Sequence, residues 1–283
     1  MKVSPKKYLI AVSGGVDSVV LLEMLAKKHE NILVAHFDHG IREDSKEDAI
    51  FVRQLAVKYG VKFFTKREEL GANASEEKAR RARYKFLREL SEKQNATIVT
   101  AHHLDDVVET IIINMVRGTG WRGLAVLNAE DIYRPLINFE KQEIINYAKQ
   151  NNLKWREDST NSLNVYMRNI VRHKIDLNNE QKNELQILHQ EQIRLAKEIK
   201  SEVTSLLKSI KNDNKISRYF INSIDQASAY EIIRELTKGE LTPSQIDSVI
   251  NAIKTQRNGT IFEASKNIKI HFTTRFFTLE LIK

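Results

Sequence analysis

In the first half of the chain, short β-branched or aromatic runs alternate with stretches of helical periodicity, an alternation that few folds can accommodate. Tyr8–Val12, Ile32–Phe37, Val61–Thr65 and Thr97–Ala101, with a shorter run at Ile132–Arg134, read as strands. Val16–Lys28, Lys46–Tyr59, Glu76–Glu92, Leu104–Arg117 and Lys141–Asn151 read as helices. Strands joined through helices of this length pair in parallel, because parallel neighbours need a crossover of about a dozen residues or more. The pattern therefore predicts an α/β fold: a doubly wound, mostly parallel sheet with helices on both faces. Such sheets hold ligands beyond the carboxyl ends of their strands, where strand order reverses, so the loops that follow strands should carry the chemistry.

From about Leu177 to Lys211 the sequence turns to Gln, Glu, Lys, Asn and Leu without Gly or Pro. Leu188, Leu195, Ile199, Leu206 and Ile210 recur at alternating intervals of seven and four, which predicts one long amphipathic helix, either a connector or a helix packed on the main domain. Beyond it Gln226–Thr237 reads as a helix, and Thr242, Pro243 and Gln245 supply the cap, first-turn proline and capping-box partner of another. Thr260–Ala264, Ile268–Phe272 and Phe276–Ile282 read as short strands. The predicted organisation is a main domain over 1–175, a connector helix over 176–211 and a small α+β domain over 212–283.

Composition narrows the function classes. Hydrophobic residues at 41% and charged residues at 29% exclude general disorder. No apolar run approaches the ~20 residues of a membrane helix, and the basic start leads into a short strand instead of a signal-peptide core, so a cytoplasmic location is expected. Cysteine is absent, which excludes disulfides, Cys-ligated zinc, iron–sulfur clusters and a persulfide-carrying thiol within these residues. Lys and Arg exceed Asp and Glu by 45 to 37, a formal charge of +8 that suits a polyanionic partner such as RNA.

The strongest motif is Ser13-Gly14-Gly15-Val16-Asp17-Ser18, at the first strand-to-helix junction. Paired glycines let successive amides converge at the positive end of a helix, where a phosphate chain can sit without a side-chain cation. Ser13 and Ser18 add hydroxyls, and Asp17 can hold magnesium against the phosphates. At the second junction His36, Asp38, His39 and Arg42 put ionisable groups on the ligand edge; His36 and Asp38 share a strand face, and His39 is expected to point away. At the fourth, Asp105, Asp106 and Glu109 gather on the first turns of a helix beside His102 and His103, a setting for magnesium, an amino group or both. On the helix between, Arg81, Lys85 and Arg88 form an exposed stripe, and Arg80 and Arg83 lie toward Leu87 as candidates for phosphate. Arg134-Pro135-Leu136, the loop Glu157–Asn161 and the pair Arg168 and Arg172 complete the set.

Taken in order, SGGVDS, HFDHGIR, ARRARY, TAHHLDDVVET, RPL and EDSTN with Arg168 and Arg172 resemble the tRNA(Ile)-lysidine synthetases of the ATP-pyrophosphatase, or PP-loop, superfamily. The resemblance covers about Tyr8 to Arg172 and continues more weakly through the tail, which looks like that family's first carboxyl-terminal domain; the further domain that some members carry is not expected here. It implies ATP as co-substrate, magnesium, free L-lysine and a tRNA(Ile) with anticodon CAU. The cytidine at position 34 would be adenylated on O2 with release of pyrophosphate, and lysine would then displace AMP at C2. Ser13, Gly14, Gly15, Val16, Asp17, Ser18 and His36 would bind ATP, with Asp17 and Asp105 on magnesium. Asp105, Asp106 and Glu109 would serve the cation and the lysine ammonium, undivided between them. Arg80 or Arg83 would meet phosphate charge, and Arg168 and Arg172 would hold substrate or tRNA. Two other readings stay open: a synthetase adenylating a small metabolite, and a non-catalytic RNA-binding protein. The oligomeric state is left open, a homodimer included.

Overall fold

The computed structural model describes residues 7–28, 31–40, 45–71, 74–156, 171, 177–210 and 214–282. Arg42, the loop Glu157–Asn161, Arg168 and Arg172 lie outside the described residues. Contacts divide the chain into two compact units, Met1–Ile193 and Arg194–Lys283.

In the first unit β1 (Tyr8–Ala11), β2 (Ile32–Asp38), β3 (Lys62–Arg67), β4 (Thr97–Val99) and β5 (Ile132–Tyr133) form one sheet in the order β3-β2-β1-β4-β5. Every pairing is parallel. The helices are α1 (Val16–Ala26), α2 (Ser45–Lys58), α3 (Glu76–Gln94), α4 (Leu104–Val116) and α5 (Lys141–Gln150). Alternation along the strands sorts the two faces. Ile10, Val34 and Val99 pack with Leu21 and Leu22 of α1, Val52 of α2 and Ile144 of α5. Leu9, Leu33 and Ile98 pack on the other face with Tyr84, Leu87 and Leu90 of α3. All seven residues of β2 are buried, as expected of a strand covered on both sides. Fully burying a Leu or Ile of this kind contributes roughly 1.5–3 kcal/mol, so this two-sided core is what fixes the strand ends in space.

The doubly wound architecture is as predicted, with no element end moved by more than two residues. β1 and β4 end at Ala11 and Val99, and the amides of Val12 and Thr100 still donate to Ala35 O and Tyr133 O of the neighbouring strands as the chain passes into the loops. Strand order turns between β1 and β4, which places the predicted crevice at their carboxyl ends.

The long helix is α6 (Asn179–Ile210). In the second unit, β6 (Ile216–Ser217), β7 (Ile261–Ser265), β8 (Ile268–Phe272) and β9 (Phe276–Leu281) form an antiparallel sheet in the order β6-β9-β8-β7. α7 (Arg218–Ser223), α8 (Gln226–Leu236) and α9 (Pro243–Thr255) pack Ile221, Ile232, Ile233, Ile246 and Ile250 against Ile270, Phe272 and Phe277. Thr242 and Gln245 form the predicted capping box ahead of α9. Among the described residues no helix is long and apolar enough to cross a membrane.

Candidate active site

Between β1 and α1 the chain turns on Gly14, whose φ of +98° lies where L side chains are rarely found. A Cβ there would stand 3.5 Å from Phe51 and 3.6 Å from Val52, ordinary contacts, so backbone strain and not crowding demands glycine. Ser18 shapes the loop from within: its hydroxyl donates to Gly15 O (2.9 Å) and accepts from the amides of Ser13 and Gly14, both at 3.2 Å. Gly14→Ala is therefore expected to destabilise the protein by about 1–3 kcal/mol, read as a lowered urea midpoint at unchanged slope.

Above this loop a cavity of about 390 Å³ opens at the carboxyl ends of β1, β2 and β4. Its walls carry Ser13, Asp17 and Ser18 from the first junction, His36, Asp38 and His39 from the second, Arg83 from α3, and His102 and Asp106 from the fourth. Four separate junctions and helices thus deliver predicted residues to one place. His39, expected to point away from His36 and Asp38, lines the same cavity, because β2 ends at Asp38 and the alternation of its side chains ends with it. His36 is buried with Nδ1 2.8 Å from Val12 O, which fixes its ring against the end of β1. Asp38 is committed to the scaffold: it accepts from Arg67 Nη1 (2.7 Å) and from the Gly40 amide (2.9 Å).

The acids converge on His103. Its side chain is 3% exposed, with Nε2 3.9 Å from Asp17 Oδ2 and 3.6 Å from Asp106 Oδ2, and Nδ1 3.5 Å from Asp105 Oδ2. Burial opposes a charge on this imidazole, but Asp105, Asp106 and Asp17 outweigh it and raise its pKa. Burial likewise opposes charge on Asp105, yet His103, the Lys141 amide and Lys182 hold its carboxyl far below the usual range. Asp105 accepts from the Lys141 amide at 2.7 Å, and Lys182 Nζ lies 3.4 Å away. Glu109, one turn along α4, is buried and does not line the cavity; neither do Asp105 and Arg80.

The neighbouring imidazoles have the opposite fate. Burial pushes His102 down to about 3, against the pull of Asp106 and with Arg83, Arg134 and Arg80 adding to the effect. Thr100 Oγ1 lies 2.8 Å from its Nδ1. His39 is pushed down to about 4 by burial and then by Arg83. Arg80, Arg83 and Arg88 surround the buried Tyr84 ring, their guanidinium carbons 4.7, 5.4 and 5.7 Å from its centroid. Arg83 therefore brings positive charge to the cavity wall from α3 while Asp106 brings a carboxylate to it from α4.

Two lysines escaped the sequence reading. Lys141 Nζ stands 2.5 Å from Asp17 Oδ1, and Lys182 of α6 reaches Asp105. Neither belongs to a local motif, and Lys141 meets Asp17 across 124 residues of chain. One signal was available: a lysine at the first position of a helix opposes the helix dipole and calls for a carboxylate from elsewhere.

Residues 1–179 match the PP-loop domain family. A tRNA(Ile)-lysidine synthase of Thermosipho africanus is 42% identical over 182 residues, covering 60% of this chain and 43% of that protein. A tRNA(Ile)-lysidine synthase of Pseudothermotoga lettingae is 31% identical over 295 residues, covering 97% of this chain and 66% of that protein. The chain thus spans less than two thirds of the length of either relative. Among solved structures, the U34-tRNA thiolase NcsA from Methanococcus maripaludis with its 4Fe-4S cluster is similar at a TM-score of 0.57 and 20% identity, over 68% of this chain and 73% of that one, a likeness of fold. Because the family match takes in well over half of the 283 residues, the chain belongs to the PP-loop domain family.

Proposed function

We propose that the protein joins L-lysine to C2 of the wobble cytidine, position 34, of a tRNA(Ile) with anticodon CAU, consuming ATP. The observation that carries this reading is the single cavity in which the glycine turn, the α3 arginine and the α4 acid meet. The similarity to two tRNA(Ile)-lysidine synthases supports it, one of them matched along 97% of this chain. In the first step cytidine O2 bonds to the α-phosphorus of ATP, the bond to the β-phosphate oxygen breaks, and pyrophosphate leaves. In the second the ε-amine of lysine bonds to C2, and the C2–O2 bond breaks with O2 departing on AMP. Adenylation turns a poor leaving oxygen into a good one.

In this reading the amides around Gly14 and the end of α1 grip the phosphates, and Ser18 keeps that loop in shape. His36 supports the nucleotide from the end of β2. Arg83, which lines the cavity, meets phosphate charge, and Arg80 reinforces it from behind. Asp106 lies at the cavity wall and suits the lysine ammonium, with Glu109 one turn further along α4. Arg168 and Arg172 keep their proposed part in holding substrate or tRNA. The target cytidine must leave its stack to present O2 and C2.

The donor chemistry of Asp17 and Asp105 fits magnesium, since both offer hard carboxylate oxygens already matched by ammonium groups of the chain. Among the described residues no three acidic or histidine side chains could hold a metal by themselves. Magnesium bound there supplies neutralisation of phosphate charge. The second unit, with 15 Lys and Arg against 10 Asp and Glu over residues 194–283, we assign to tRNA contact, and residues 176–211 to the connection. Sulfur transfer, the activity named for the thiolase of similar fold, is not proposed, for these residues include no cysteine.

The test supplies protein, ATP, magnesium, labelled lysine and the CAU-anticodon tRNA. Pyrophosphate and AMP should be released and lysine should become tRNA-bound. Pyrophosphate release indifferent to tRNA would instead favour a small-metabolite synthetase, and tRNA affinity without turnover a binding module.

A further inference from the structure

Lys141 takes no part in the two steps above, yet its ammonium lies closer to Asp17 than any other cation among the described residues. The position is costly by itself. A cation in the first turn of a helix faces the positive end of the dipole, so the carboxylate of Asp17 is what keeps the ammonium there. The main chain of Lys141 is held independently, its amide donating to Asp105 Oδ2 at 2.7 Å. That amide is one of the helix-start donors that no intrahelical carbonyl can satisfy. The backbone is thus pinned by one acid while the side chain, 38% exposed, reaches the other. An unbranched side chain so placed can leave Asp17 without any movement of α5.

We propose that Lys141 is a positioning residue: it serves as the internal counter-cation of Asp17 before nucleotide arrives and yields that place to the divalent cation that enters with the phosphates. The inference rests on the reading of Asp17 as a cation-holding carboxylate. Two charges compete for one carboxylate, so removing the ammonium has two opposite consequences. The carboxylate becomes free to take a divalent cation, and, where none is present, it repels the phosphates that the glycine turn would otherwise collect. His103, 3.9 Å from Asp17 and shared with two other acids, replaces the lost ammonium only in part.

The probes are Mn2+ binding to the nucleotide-free protein, followed by electron paramagnetic resonance, and binding of α,β-methylene-ATP in EDTA. Lys141→Met should bind Mn2+ about five- to tenfold more tightly than the parent and the analogue about as much more weakly without metal. Lys141→Arg should behave as the parent in both, and Lys141→Gln should reproduce the methionine variant if that one folds poorly. The gain in Mn2+ affinity should vanish in Asp17→Asn/Lys141→Met. Mn2+ affinity in both neutral variants within twofold of the parent, or a gain that survives loss of the Asp17 carboxylate, overturns the proposal. Neither probe involves tRNA or lysine, so failure of lysidine formation would sink the functional reading and leave this result standing.

Discussion

Asp17→Asn should slow pyrophosphate release by about 10³, roughly 4 kcal/mol of barrier, while the protein folds nearly as before. Asn keeps the shape of the side chain and can still accept from Lys141 through its amide oxygen. What it removes is the negative charge that, in the proposed chemistry, holds a cation over the phosphates. The folding cost is small because the Asp17 side chain is 29% exposed and its partner Lys141 38% exposed, and ion pairs so open to water contribute about 0–1 kcal/mol. Nucleotide should still bind, since the amides of the glycine turn are untouched. Single-turnover release of labelled pyrophosphate, alongside urea unfolding of the same preparation, checks both halves. Release within tenfold of the parent would mean that the Asp17 carboxylate is outside the chemistry.

The glycine turn was legible in the sequence because everything that makes it is local: a strand, Gly14 at positive φ, and a helix start within six residues. Local legibility has a limit even there. Ser13 and Ser18 read alike as hydroxyl donors to phosphate, yet the Ser18 hydroxyl is spent on the loop's own amides and on Gly15 O. The parallel sheet was legible from periodicity, while β6 and α7 were missed because two- and six-residue elements carry too little pattern to register. The pairing of the acids with their ammonium partners was not legible. Lys182 and Lys141 approach Asp105 and Asp17 over 77 and 124 residues, and the one local hint, the helix-start position of Lys141, does not say which acid it meets. Nor could sequence separate His102 from His103. They are adjacent in the chain, and their charge states diverge because one ring faces three carboxylates and the other is buried within reach of three arginines.

That divergence sets the pH dependence of stability. His39 and His102 ionise in the folded protein at about 4 and about 3, against 6.5 for an unfolded chain. Above pH 6.5 both are neutral whether folded or not. Below it the unfolded chain takes up protons that the fold refuses, so stability falls as pH falls, until the folded groups titrate near 4 and 3. Between pH 7 and pH 5 each should cost about 2 kcal/mol. His103 works in the other direction: its raised pKa contributes stability below 6.5 that is lost as pH rises through its folded value. Below 6.5 that contribution is constant, so the slope between pH 6.5 and pH 5 is that of the two depressed imidazoles. His102→Asn should flatten the profile of urea midpoints between pH 7 and pH 5, and His103→Asn should leave that slope nearly unchanged while removing the decline in stability above pH 6.5. A parent profile that is flat over this range, or one that His102→Asn leaves unaltered, would mean that the imidazole at the cavity wall finds a counter-ion in solution, and the opposition of α3 arginines to α4 acids would no longer describe the site.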